Sequence, residues 1–129
     1  MNIEVELSKI IINEASEQQF IVLTEKGGQR ALPIVIGIVE IMAIDRRLKG
    51  MLPPRPMTHD LLGDVIETLG ANIDKIVIRD MHSNTYYATL HLSNEGESFE
   101  VDSRPSDAIA LGIATGVPIY VAEEVFEKK

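Results

Sequence analysis

Of the 129 residues, 27 are Ile or Val and only six are aromatic, and the β-branched residues fall in short runs divided by turn-forming pairs. Such side chains fit a pleated, half-buried surface better than a helix, so the chain must first of all build a sheet. Residues 3–7 read Ile-Glu-Val-Glu-Leu, the period of two of a strand with one buried face, and the polar run 13–19 interrupts it. Segments 20–24 and 31–36 predict two further strands around Lys26-Gly27-Gly28, where adjacent glycines permit the positive φ of a tight hairpin. Segments 73–81 and 86–92 predict another hairpin over Ser83-Asn84, and Asn94-Glu95-Gly96 turns the chain into a strand at 99–102. A last short strand is predicted at 118–121.

Elsewhere the spacing becomes helical. Between 37 and 49 the apolar residues Ile41, Ile44 and Leu48 stand three and four apart, and Gly50 can end the helix. Three prolines make 51–56 an irregular connector. Thr58 is placed to cap a second helix, whose Leu61, Leu62, Val65, Ile66 and Leu69 form one stripe before Gly70. Ser106 is placed to cap a small-residue helix over 107–115, with Gly116 as its stop. Both halves of the chain thus run strand, strand, strand, helix. Residues 40–44 overlay 107–111 at a constant offset of 67, pairing Glu40 with Asp107 ahead of four apolar residues, a hint of internal β-β-β-α duplication. The expected class is α+β, a mainly antiparallel mixed sheet covered by helices, in one domain spanning 1–129.

Composition removes whole classes of function. Twelve basic and 20 acidic residues leave a formal charge of −8, which argues against passive nucleic-acid binding, because phosphate affinity comes mainly from Lys and Arg. Without cysteine there is no disulfide framework, no Cys-ligated metal and no thiol catalysis. Walker, dinucleotide-binding, HExxH and GxSxG motifs are all missing from the sequence. No export signal is legible and no 18 apolar residues run together, so the expectation is a cytoplasmic protein with no membrane partner.

What remains is a pair of similar helix starts, Arg55-Pro56-Met57-Thr58-His59-Asp60 and Asp102-Ser103-Arg104-Pro105-Ser106-Asp107. Capping accounts for the hydroxyl and the first-turn acid but needs no cation. An arginine beside free helical N–H groups adds a bidentate phosphate donor, which makes Arg55, Thr58, Arg104 and Ser106 the candidate phosphate-binding residues. His59 is the histidine neighboured by both an acid and such a site, and is the candidate general acid or base, with Asp60, Asp102 and Asp107 as further catalytic candidates. Glu40 lies in the most apolar segment and must find an Arg, a metal or solvent. Glu40, Asp60, Asp102 and Asp107 are the candidate oxygen ligands for Mg²⁺ or Mn²⁺.

Several of these segments resemble one family. Arg-Pro-Met-Thr-His-Asp-Leu-Leu at 55–62, Tyr-Tyr-Ala-Thr-Leu at 86–90, Val-Asp-Ser-Arg-Pro-Ser-Asp-Ala-Ile-Ala-Leu at 101–111, Val-Pro-Ile-Tyr-Val at 117–121 and Leu-Pro-Ile-Val-Ile-Gly with Glu40 are similar to the bifunctional nuclease family over most of the chain. One familiar form of that family carries an aromatic where this chain has Val35. The resemblance implies hydrolysis of both DNA and RNA, and carries over no catalytic assignment. Two readings follow: a metal-assisted nuclease of little sequence specificity acting on single- or double-stranded nucleic acid, or a non-catalytic regulatory or structural interaction module whose arginines and acids lock the helix starts to the sheet. Open, convergent carboxylates would favour the first, and closed Arg–carboxylate pairs the second. A homo-oligomer is expected in either case, because short strands that cannot all be central leave an edge or an apolar helix face in need of a partner.

Overall fold

In a computed structural model, which describes residues 1–13, 15 and 18–128, the strands form a single seven-stranded sheet. The strands are β1 (Asn2–Ile11), β2 (Gln19–Glu25), β3 (Ala31–Ile36), β4 (Asn72–His82), β5 (Thr85–Asn94), β6 (Glu97–Ser103) and β7 (Ile119–Ala122), in the order β3-β2-β1-β7-β4-β5-β6. Residues 14, 16 and 17 of the polar run expected to end β1 lie outside the described residues. Each three-strand meander steps outward from β7, which pairs antiparallel with β1 and parallel with β4. The α+β class with a mainly antiparallel mixed sheet is therefore present. The turns follow the local chemistry: Ser83 and Asn84 both have positive φ (51° and 64°), as do Glu95 and Gly96 (52° and 84°), the two-residue geometry whose twist matches paired strands.

Helices α1 (Ile38–Leu48), α2 (Thr58–Thr68), α3 (Pro105–Gly112) and α4 (Glu123–Lys128) complete the domain. Ile41 and Ile44 of α1, residues 108–111 of α3 and Val125 and Phe126 of α4 share one core with Val5, Ile21, Leu23, Ile76, Ile78, Leu90 and Val121 of the sheet. Gly112 is where α3 reaches β4: a Cβ there would lie 2.7 Å from Ile76 Cδ1 and 3.3 Å from Val117 Cβ, so any larger residue would have to displace both side chains. The opposite face of the sheet carries Lys75, Val77, Arg79, Tyr87, Thr89, Asp102 and Tyr120.

Three sequence expectations need correction. Thr58 is the first residue of α2 and not its cap; Met57 holds the N-cap position, and Asp60 reaches back from the first turn to accept the Met57 N–H at 3.0 Å. Ser106 is two positions past the cap, because Pro105 occupies the first helical position, makes Arg104 the N-cap and leaves Ser106 buried. The α-helix there ends at Gly112, and 113–115 tighten into a 3₁₀ turn before Gly116 takes φ 71°.

The short α4 is tied down by charge. Lys128 donates from Nζ to Asp80 Oδ1 at 2.7 Å and to the Met81 carbonyl at 3.4 Å, and His82 Nε2 stands 2.8 Å from Asp80 Oδ2. The Lys128 hydrogen bond, followed by the Met81 N–H, holds the Asp80 carboxyl at about 2. A depressed carboxyl contributes its stability above its unfolded value of 3.8 and loses it as pH falls toward about 2. Lys128→Ala is expected to move Asp80 back toward the ordinary value in a side-chain NMR titration, and an unmoved titration would contradict this assignment.

Candidate functional site

Helix α1 organises the candidate residues. Glu40 and Arg47 are seven positions apart on it, two turns and ~10 Å along one face. The α3 start meets the first of these and the α2 start the second. Arg104 lies 3.9 Å from Glu40 and clasps Asp107 with two bonds, Nε to Oδ2 at 2.8 Å and Nη2 to Oδ1 at 3.2 Å. Hydrogen bonding to Asp107 pushes the Arg104 pKa up, and Glu40 adds to the same effect. The two acids paired by the sequence offset of 67 thus share one arginine.

At the other end of α1, Arg47 Nη2 stands 3.1 Å from Asp60 Oδ1, and His59 Nε2 lies 3.6 Å from the same oxygen. The side chains of Arg47, His59 and Asp60 are only 21, 18 and 12% exposed. Although Arg47 and Asp60 are in ion-pair range, neither Arg47 Nε nor Asp60 Oδ1, both buried, has a well-aligned hydrogen bond among the described residues. Such orphaned buried atoms call for an explanation, and here they border a cleft of about 570 Å³. Its walls are Arg47, the connector residues Leu52, Pro53, Pro54 and Pro56, one side of α2 from His59 to Glu67, and Ile73, Leu111, Thr115 and Val117.

Arg55 is exposed between two prolines of the cleft wall and has no ion pair among the described residues. Arg46 donates to Met57 Sδ at 3.7 Å, which brings it against the same helix start. Asp102, by contrast, is on the far side of the sheet. Arg79, at a bulge in β4, donates to its Oδ1 at 2.7 Å, to the Ala88 carbonyl at 2.7 Å and to Thr89 Oγ1 at 2.8 Å. Among the described residues no three or more His, Asp or Glu side chains group as metal ligands, and the four expected ligands answer to three arginines: Asp60 to Arg47, Glu40 and Asp107 to Arg104, Asp102 to Arg79, the closed pairing that for these four carboxylates favours the structural reading.

Arg47 and Arg79 were missed by the sequence reading. A signal for Arg47 existed: residues 46–59 hold Arg46, Arg47, Lys49 and Arg55 and no acid, in a chain of net −8.

Fold and site together define a class: a single-sheet α+β domain with an Arg–Asp–His cluster set in a cleft at a helix start. A profile described as the bifunctional nuclease domain matches residues 21–129. An uncharacterised protein of Mycobacterium tuberculosis is 40% identical over 122 residues, 95% of this chain and 73% of that protein. Bifunctional nucleases 1 and 2 of Oryza sativa subsp. japonica are 27% and 30% identical over 88% and 85% of the chain, which spans 35% of the length of each. The chain belongs to the bifunctional nuclease domain family. No helix among the described residues is long and apolar enough to cross a membrane.

Proposed function

We propose that this domain is a nuclease that hydrolyses phosphodiester bonds of DNA and RNA in the cleft between α2 and the connector, with little sequence preference. The observation that carries this reading is the cleft wall, where Arg47, His59 and Asp60 meet and where exposed Arg55, from the acid-free segment 46–59, stands between two lining prolines. Local positive charge is what an acidic chain needs to hold a polyanion. The names of the rice relatives support the same chemistry.

In this proposal Arg47 and Arg55, with the free N–H groups at the start of α2, hold the scissile phosphate. His59 takes a proton from the attacking water on Nδ1, the ring nitrogen not turned to Asp60, the new P–O bond forms, and the bond to the leaving strand breaks as its oxygen takes a proton from solvent. DNA has no 2′-hydroxyl to attack its own phosphate, so one mechanism for both substrates assigns the attack to water. Asp60, 3.6 Å from His59 Nε2, offsets the positive charge that the imidazole gains. The Arg104 and Arg79 pairs have a structural role, tying α3 to α1 and β6 to β4.

Asp64 and Glu67 are cleft carboxylates without an ion pair among the described residues. They fit Mg²⁺ or Mn²⁺ arriving with the substrate, since Mg²⁺ is commonly held by one or two carboxylates plus phosphate oxygens. Such an ion would offset the charge that builds on phosphorus. Cleavage is therefore expected to vanish in chelator and to return with Mg²⁺ or Mn²⁺, with a weaker response in Asp64→Asn. Full activity in chelator would remove the metal from the proposal.

A further inference from the structure

Helix α2 has two faces of opposite character. The side that lines the cleft, His59, Asp60, Gly63, Asp64, Ile66 and Glu67, holds every titratable residue of the helix. The other side, with Thr58, Leu61, Leu62, Val65 and Thr68, carries no charge and continues into Leu69. Leu61, Leu62, Val65 and Leu69 are 57, 46, 45 and 71% exposed, and no residue of α2 is buried. A water-facing helix side without a single charge is the composition of an interface core, where charged residues are depleted.

We propose that this face docks a second copy of the chain, α2 against α2, antiparallel about a two-fold axis at Val65. Leu61, Val65 and Leu69 are spaced by four on either side of Val65, so the row is its own complement: the axis sets Leu61 against Leu69 of the second copy and Val65 against its equivalent. This is the packing of rows of residues four apart, with the same patch used on both copies. The area is also of the right order. Phe99 and Val101, 46 and 44% exposed, stand opposite Leu92 and Leu90 on the helix-bearing face of the sheet. The Asn94 side chain donates to the Leu69 carbonyl at 3.4 Å, bringing the β5–β6 turn to the end of α2. Together these six side chains leave on the order of 500 Å² of apolar surface open, most of the ~800 Å² per partner that a standard interface buries. The cleft, on the other side of α2, stays open in the pair. Because each copy carries −8, added salt should strengthen the pairing by screening their repulsion.

The test uses the full chain, which has no cysteine of its own. Sedimentation at about 10 µM should show a dimer that tightens with salt, and Val65→Glu should be monomeric with an unchanged circular dichroism spectrum. Val65→Cys should form a covalent dimer on mild oxidation, whereas Glu67→Cys, on the cleft side, should not; this pair decides the matter should Val65→Glu fail to fold. A monomeric wild type, a dimer that survives Val65→Glu, or equal cross-linking of the two cysteine variants would overturn the proposal.

Discussion

Replacing His59 by alanine is expected to lower phosphodiester turnover by roughly 10²–10⁴-fold, the usual contribution of a positioned general base, while leaving folding stability within about 0.5 kcal/mol. The two effects separate because of where His59 sits. It faces the cleft, is only 18% exposed, and its one ion-pair contact among the described residues, Asp60 at 3.6 Å, is too long for a hydrogen bond. Little of the fold hangs on it. Steady-state cleavage of a labelled oligonucleotide, run beside thermal melts of the same preparations, reads both quantities. Turnover that fell only in step with melting would return His59 to an ordinary place in a helix.

Arg47→Ala should remove a phosphate ligand and, unlike His59→Ala, also cost about 2–4 kcal/mol of stability, near the range for breaking a buried ion pair. The discount reflects the 21 and 12% exposure that Arg47 and Asp60 retain. The loss comes from stranding the Asp60 carboxylate, whose Oδ1 is buried and has no aligned donor among the described residues. In an Arg47→Ala background, Asp60→Asn should therefore recover part of it. A double-mutant cycle by urea unfolding measures this coupling. A cost below about 0.5 kcal/mol for Arg47→Ala would mean that the pair is no more than a surface contact.

The strands and turns were legible because period and turn chemistry are local properties. Ser83-Asn84 and Asn94-Glu95-Gly96 turn where they do because two successive residues accept positive φ. The place of β7 between β1 and β4 was not legible, since it depends on pairing over more than 100 residues in one direction and 40 in the other. Both caps were misplaced by the same cause: Pro105 and Asp60 fix their helices from inside, and a hydroxyl nearby was taken for the cap.

The site was partly legible. His59 and Asp60 meet in the cleft, and Glu40, Arg104 and Asp107 meet at the far end of α1. Arg47 escaped because it closes a helix that reads as apolar, and its partner lies across a proline-rich connector. Asp102 went to Arg79, and not to the adjacent Arg104, because β6 turns its side chain to the far face of the sheet beside Thr89. The exposed stripe of α2 shows the limit of periodicity: it reports that a helix has an apolar side, and not what covers it.

The central claim is that water, activated in this cleft, cleaves nucleic acid. The most direct measurement compares DNA and RNA strands of one sequence, incubated with Mg²⁺ and with wild type or His59→Ala purified in parallel, and identifies the termini of the products. Cleavage of both strands by the wild type, with the same phosphate placement on DNA and RNA, and loss of both in His59→Ala is the predicted result. Cleavage unchanged by the substitution, or confined to RNA through cyclic phosphate ends, would contradict it.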